Sequence, residues 1–348
     1  MPDGEYHFVD YLDDDGINAG QPVKIALTIK IQGDEITYDF TGTSAQVEGA
    51  MNNPLGTTRA EVLTSMRAMM DPEIPRNGGA FRPVRLILPK GTLLNPALPA
   101  AVASRGGTIQ RESDVILGAQ AQIRPEKLLA CSSGVDTLMN IAGRDKEGKV
   151  WILMETFWGG WGGRHDRDGV DYNTPPPLNN SNTPCEVHEE LFPDIRYNQH
   201  AYVPDTEGAG KWRGSLAVVR EWQNVGEQRV LLQLRVDRRS RGPYGLFGGL
   251  PGALLKATIN PGRDDRDVGK ITTYLQPGDV IRIQSAGAGG WGAALERDPE
   301  LVLEDVRNEK LSRQRARDVY GVVFKNQRLE IDTEETNRLR KELREKRS

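Results

Sequence analysis

The chain has 348 residues, more than one ordinary domain core holds, so two or more packed units are expected. Hydrophobic residues make up 37%, with 38 glycines and 21 prolines, a loop-rich globular composition that excludes a coiled coil or a disordered chain. The 45 Lys and Arg are spread among 49 Asp and Glu, which leaves no basic footprint for nucleic acid.

The first predicted element is a hairpin. Val23, Ile25, Leu27, Ile29 and Ile31 alternate with Lys24, Ala26, Thr28 and Lys30, the period of two of a half-buried strand. Gln32-Gly33-Asp34 supplies the turn, and Ile36, Tyr38 and Phe40 alternate back. Residues 57–70 read as a helix capped by Thr57 or Thr58, and 84–88 as a short strand. Residues 109–123 read as a second helix, stopping before Pro125. Residues 150–156 form an apolar run of strand length. A long stretch rich in Gly, Asn and Pro follows over 159–184, and such stretches are commonly functional. Further strands are expected at 218–222, 230–236, 271–275 and 280–283. Residues 298–318 read as one helix, with Asp298 as N-cap and Pro299 at the first helical position. The end, 332–348, is almost wholly charged and reads as a solvated helix or a frayed tail.

The expected class is therefore α+β: β-rich, with short strands, glycine-rich loops, a few packed helices and a helical tail. The expected division is an α+β region over 1–149, a β-rich region over 150–295 and a helical tail over 296–348. Trp158-Gly-Gly-Trp-Gly-Gly163 and Gly287-Ala-Gly-Gly-Trp-Gly292 echo each other, and two tight glycine turns around an anchoring Trp are the simplest account. No stretch of about 18 apolar residues appears, so no membrane span is expected. The acidic start lacks the features of a signal peptide, and Cys131 and Cys185 are too few for a disulfide framework. A cytoplasmic location is the default expectation.

Chemistry is sparse in local motifs. Gly208-Ala-Gly-Lys211 lacks the first glycine of a phosphate loop, and Trp291 would crowd a pyrophosphate at Gly287, Gly289 and Gly292, so no nucleotide site is expected in this chain. His7, His165, His188 and His200 are the only histidines. A lone Cys185-x-x-His188 lacks the second half of a zinc site, so no metal site is expected either. Ser104 and Ser132-Ser133 are not on nucleophile elbows, and Cys131 reads as a buried small hydrophobe.

The most loaded segment runs from Glu155 to Glu189. Charged groups on a glycine-rich loop after a strand can meet a small polar substrate, because glycine lets the backbone approach closely. The alternative is a loop whose asparagines only cap turns. Four residues are the site candidates. Arg164 would hold a carboxylate or phosphate, Asp168 or Glu155 would act as general base where burial raises its pKa, and Asn182 would orient a carbonyl. Arg238 and Arg239 are a second anion-binding candidate or an arginine ladder on a strand edge.

At this segment the chain resembles the B-type subunit of the hydantoinase/oxoprolinase family, which includes acetone and acetophenone carboxylase subunits. The matching stretches include Asp39-Phe-Thr-Gly-Thr-Ser44, Asn53-Pro54, Pro75 to Pro83 and Leu94-Asn-Pro96. Later ones are Gly159 to Arg164, Asp168-Gly169, Asn182-Thr-Pro-Cys-Glu186 and Gly208 to Gly214. Asp237-Arg-Arg239, Gly245 to Gly252, Pro277-Gly-Asp279, Arg297 to Glu300 and Tyr320 to Val323 complete the set, so the resemblance spans nearly the whole chain.

The resemblance implies an enzyme in two functional halves. An A-type partner binds ATP and Mg and phosphorylates the substrate oxygen. The B-type half then opens a cyclic amide (lactam, hydantoin or oxoproline) or carboxylates a ketone. Family B-type subunits also carry an amino-terminal part with His and Asp ligands for a divalent metal. This chain is expected to begin after that part and to need it as a partner, which makes it inactive alone. Many relatives carry two histidines where this chain has Thr174 and Pro176. That departure leaves open a carboxylase-like role, or a non-catalytic structural subunit of such a complex.

Overall fold

A computed structural model describes residues 1–134, 137–176, 184–325 and 329–347. The first sheet joins β1 (Gly4–Leu12), β2 (Val23–Gln32), β3 (Glu35–Asp39) and β4 (Val84–Ile87) in that order, with β4 parallel to β3 and the rest antiparallel. Every second residue of β2 from Val23 to Ile31 is buried, and Gly33 closes the hairpin at φ +60°. Two helices cover the buried face, α1 (Leu55–Met66) and α2 (Arg105–Ala121). Ile25, Ile29, Tyr38, Phe40, Val62 and Val115 share this core.

Both helices depart from expectation at their starts. α1 begins at Leu55, directly after Pro54, with no side-chain cap. The Thr58 hydroxyl instead donates to the Leu94 carbonyl (2.8 Å) and accepts from Asn53 Nδ2 (3.1 Å). α2 begins at Arg105, four residues before Ile109. Gly106 and Gly107 argue against helix by propensity, at about 1 kcal/mol each. Burial of every residue from Gln110 to Ala121 outweighs them.

A second core lies between two further sheets. One has the order β12 (Ile271–Leu275), β9 (Val230–Arg235), β5 (Thr137–Arg144), β6 (Val150–Phe157). The other has the order β11 (Arg266–Asp267), β10 (Lys256–Ile259), β13 (Val280–Gln284), β8 (Ala217–Asn224), β7 (Ile195–Val203). Ile141, Leu153, Trp222, Leu232, Leu234 and Ile283 fill the space between them. β5 falls inside the region expected over 1–149, yet it pairs with β6 and β9. A short helix, α3 (Cys185–Leu191), leads into β7.

The tail holds α4 (Pro299–Arg307), α5 (Arg313–Tyr320) and α6 (Thr333–Arg347). Asp298 caps α4 as expected, accepting from the Glu300 N–H (3.0 Å). The single helix expected over 298–318 is broken, because Glu309 adopts φ +57° and Ser312 starts α5 as a new N-cap. α6 is docked, with Arg340 donating to the carbonyls of Tyr320 (3.0 Å) and Arg297 (2.7 Å).

The glycine-rich segments at 159–163, 208–214, 245–252 and 287–292 interlock backbone to backbone. Gly163 N–H donates to the Gly289 carbonyl (2.9 Å), Gly208 N–H to Ala288 (2.7 Å) and Gly290 N–H to Leu250 (3.0 Å). They are not the expected tight turns. A Cβ on Gly214 would lie 2.1 Å from the Ala288 carbonyl oxygen, and one on Gly290 2.3 Å from that of Ala209. Glycine is required here by close approach of main chains.

Candidate functional site

Glu155 lies on β6 in the row of inward-facing positions with Leu153 and Phe157. It is a carboxylate where the strand pattern calls for an apolar residue, only 4% exposed. Isolated in a core, such a charge is prohibitive, so its partners define the site. Arg220, from β8 and itself buried, donates to Glu155 Oε1. Tyr197, from β7, donates its hydroxyl to Oε2 (2.8 Å), and His188 of α3 places Nδ1 3.0 Å from the same oxygen.

The cluster continues outward. Arg220 Nη2 donates to the Tyr172 hydroxyl (2.6 Å). The Tyr172 ring meets His200 edge-on with centroids 5.2 Å apart, and His200 Nδ1 stands 3.7 Å from Cys185 Sγ. His200 is exposed, whereas Tyr172 and Cys185 are half-buried. Residues of β6, β7, β8 and α3, with Tyr172, thus carry a charged buried centre to the surface.

The outer groups are held neutral. Burial pushes the Cys185 thiol up, and Glu155, Glu186 and Glu189 add to that while Arg220 opposes it. Burial and the nearby Arg220 charge push His200 down. Burial and the Glu155 charge raise the Tyr197 phenol. A neutral thiol beside a neutral imidazole offers one proton donor and one acceptor at neutral pH. Proton transfer or orientation of a polar substrate is the chemistry available there.

The four candidates are not assembled into one site. Asp168 is partly buried and bound by the fork of Arg297, with Nη1 2.6 Å from Oδ1 and Nη2 2.8 Å from Oδ2. It also accepts the Arg213 N–H (2.9 Å). Both oxygens are engaged, so the expectation that Asp168 acts as a free base is corrected. Asp168 belongs to an ionic chain in which Arg297 and Arg213 share Asp305, and Arg213 and Lys310 share Asp171. Burial alone would raise Asp171, yet Arg213 and Lys310 hold it below the usual carboxylate range.

Arg164 follows the interlocked glycines and lies half-buried over the Trp161 ring, 5.2 Å from its centroid. It has no ion-pair partner among the described residues, and its Nε is buried without a hydrogen bond there. That fits a side chain able to take an anion. Asn182, like Asn179 and Asn180, lies outside the described residues. Arg238 is buried between Asp10 (2.8 Å) and Asp114 (2.9 Å), and Arg239 pairs with Asp267. They are structural ion pairs and not the expected anion site or ladder. Cys131 is buried as expected, 3.1 Å from Arg238 Nη2.

Sequence reasoning missed Arg220, Tyr197 and Tyr172. β7 alternates Ile195, Tyr197 and Gln199 with polar residues, a weak signal, and Arg220 sits in a run that reads as plain core strand. Thr174 and Pro176 serve packing here: the Thr174 carbonyl accepts from Trp161 Nε1 (2.7 Å), and that of Pro176 accepts from Gln110 (3.2 Å) and Ser113 (3.3 Å). Among the described residues, no three His, Cys, Asp or Glu side chains converge as a metal-binding group, and no helix is long and apolar enough to cross a membrane.

Comparison with known proteins places these features. A family profile described as hydantoinase B/oxoprolinase matches residues 1–294. The B-type subunit of a putative D-/L-hydantoinase from a Pseudomonas species is 33% identical over 358 residues, covering 98% of this chain and 59% of that protein. The chain therefore spans little more than half the length of this curated relative. A nucleotide-free acetone carboxylase structure superposes with a TM-score of 0.84 at 17% identity, over 100% of this chain and 53% of that one. The ATP-dependent caprolactamase of Pseudomonas jessenii gives 0.84 at 24% identity, over 98% of this chain and 60% of that one. At those identities the two structures establish a shared fold.

Proposed function

Because this chain belongs to the hydantoinase B/oxoprolinase family, we propose that it forms part of a B-type subunit that completes the ATP-dependent opening of a cyclic amide. The observation carrying this reading is the alignment with the B-type hydantoinase subunit of Pseudomonas through 98% of the chain. In this reading the chain works together with an amino-terminal B-type segment, and ATP and Mg are bound by an A-type partner.

The chemistry has a simple logic. An amide oxygen is a poor leaving group. Once the partner has transferred a phosphoryl group to it, water adds to the carbon, the ring C–N bond breaks as the nitrogen takes a proton, and a second water hydrolyses the resulting acyl phosphate to a carboxylate and phosphate. The role of this chain is to position and to move protons. The outer end of the Glu155 cluster, with Tyr172, His200 and Cys185, faces the activated substrate, and Glu155 with Arg220 fixes that end in place. Arg164 holds a developing oxyanion, and Asn182 orients a carbonyl. Asp168 stays structural.

Ketone carboxylation is the second reading. The acetone carboxylase likeness favours it at the level of fold. Reconstitution with an A-type subunit and an amino-terminal B-type segment tests both. Lactam-, hydantoin- or oxoproline-dependent ADP formation with a ring-opened product is expected. Ketone-dependent ATP use with a carboxylated product selects the second reading, and no coupled turnover with any of these substrates overturns both.

A further inference from the structure

A cavity of about 250 Å³ lies at the seam between the first core and the sandwich, away from the Glu155 cluster. One wall is the start of α2, with Ser104, Arg105 and Gly106, and the opposite wall is the end of β9 with Arg235 and Asp237, closed by Lys270. The Ser104 side chain makes no capping hydrogen bond, so in the first turn of this 17-residue helix the N–H groups of Gly106 and Gly107, which line the cavity, carry no side-chain cap, while that of Arg105 donates to the Val102 carbonyl (3.3 Å).

The side chains point to the same kind of ligand. The Lys270 side chain is 3% exposed, and its Nζ makes no hydrogen bond among the described residues. Its nearest acids are Asp14 at 3.3 Å and Asp237 at 3.7 Å. Asp237 Oδ1 accepts the N–H groups of Asp13 (2.8 Å) and Arg238 (2.9 Å), and its Oδ2, the oxygen nearest Lys270, makes no hydrogen bond among the described residues. Arg235 Nη1 donates only to the carbonyls of Leu234 (2.9 Å) and Ile271 (3.1 Å). Neither Arg235 nor Arg105 has an acidic partner among the described residues. A buried ammonium with unused donors is unfavourable unless something completes it.

We infer that this cavity is a binding site for the oxyanion of a small organic acid, a carboxylate or a phosphate, gripped by Lys270, Arg235 and the N–H groups at the start of α2. Helix N-termini and arginine forks are the two recurrent ways to hold such groups. Met51, Ile109 and Val236 supply an apolar floor. The volume is just under the ~300–1,000 Å³ range of small-molecule pockets, which limits the ligand to a compact acid.

Titration calorimetry on the 348-residue chain tests this, with inorganic phosphate and succinate as probes and succinamide as the neutral control. Saturable binding of at least one oxyanion is expected, with none for succinamide. Preference between phosphate and succinate assigns the ligand source. Arg235→Gln should weaken binding at least ten-fold, and Arg105→Gln by a smaller factor, with far-UV circular dichroism unchanged. Arg235 is only partly buried, so its variant keeps the test valid where Lys270→Met fails to fold. The distant Arg263→Gln should bind as the parent does. Absence of saturable binding, equal binding of succinamide, or undiminished binding by Arg235→Gln overturns the inference.

Discussion

Two carboxylates flank the glycine-rich segment, and their surroundings differ in kind. Asp168 is satisfied by arginine: both oxygens meet Arg297, and the same guanidinium continues to Asp305 and so to Arg213. Its chain of charges ties the segment to α4 and ends within the structure. Glu155 meets one guanidinium, then a phenol and an imidazole, and its chain leads outward to His200 and Cys185. A carboxylate whose partners are all permanent cations is a strut. One whose partners can themselves give or take protons can take part in chemistry.

Four measurements break or sharpen that contrast. The largest effect is expected at the strut. Arg297→Met leaves Asp168 and Asp305 without their shared cation and should cost on the order of 3–5 kcal/mol in urea unfolding. A loss under about 1 kcal/mol would show that the chain of charges is dispensable.

Two further buried carboxylates have no cation partner among the described residues. Glu61 and Glu112 face each other between α1 and α2, where Glu61 accepts from Ser65 Oγ (2.6 Å) and Glu112 from Asn53 Nδ2 (2.8 Å). Burial pushes Glu61 up to about 7 and, with the Glu61 charge, raises Glu112 further. The folded chain keeps these protons between pH 4.5 and 7, where the unfolded chain has released them, so stability falls as pH rises through that window. Glu61 alone contributes a loss on the order of 3 kcal/mol by about pH 8. Glu61→Gln should flatten the slope, and an unchanged pH profile of the melting temperature would contradict this.

The third test separates strut from site. Tyr172→Phe removes one hydroxyl and should cost about 1 kcal/mol of stability. In the reconstituted complex the same variant is expected to lower turnover at least ten-fold, whereas Asp168→Asn should act through stability. Turnover unchanged in Tyr172→Phe would move the chemistry away from the Glu155 cluster. The smallest effect is expected for Arg239→Ala, since the Arg239–Asp267 pair is largely solvated and worth below about 1 kcal/mol.

Local chain geometry was legible in advance where a periodic pattern met one solvent and one core. The β2–β3 hairpin and the Asp298 cap are such cases. β1 was not, because Asp10 takes an inward position while the apolar Val9 faces out, and Asp10 is buried only because Arg111 and Arg238 meet it there. α2 shows the same limit. Its run from Gln110 to Asp114 reads as solvent-facing, yet all of it is buried. Of the candidate site, Glu155 was visible as the charged residue closing an apolar strand. Its partners came from β7, β8 and α3, and no spacing along the chain announces them.

From the amino-acid sequence alone came the family resemblance, the α+β class and the positions of the glycines that four separate segments need. Tertiary structure decided what those glycines do, since a residue without a side chain marks close approach but not its partner. It also decided which charges are spent. Asp168 and Arg297 are 129 positions apart, and Arg111 and Asp10 are 101 apart. Periodicity reports the direction of a side chain relative to its own element, whereas an ion pair depends on distances across elements. That is why Asp168 and Glu155 look alike in sequence and differ in the folded chain.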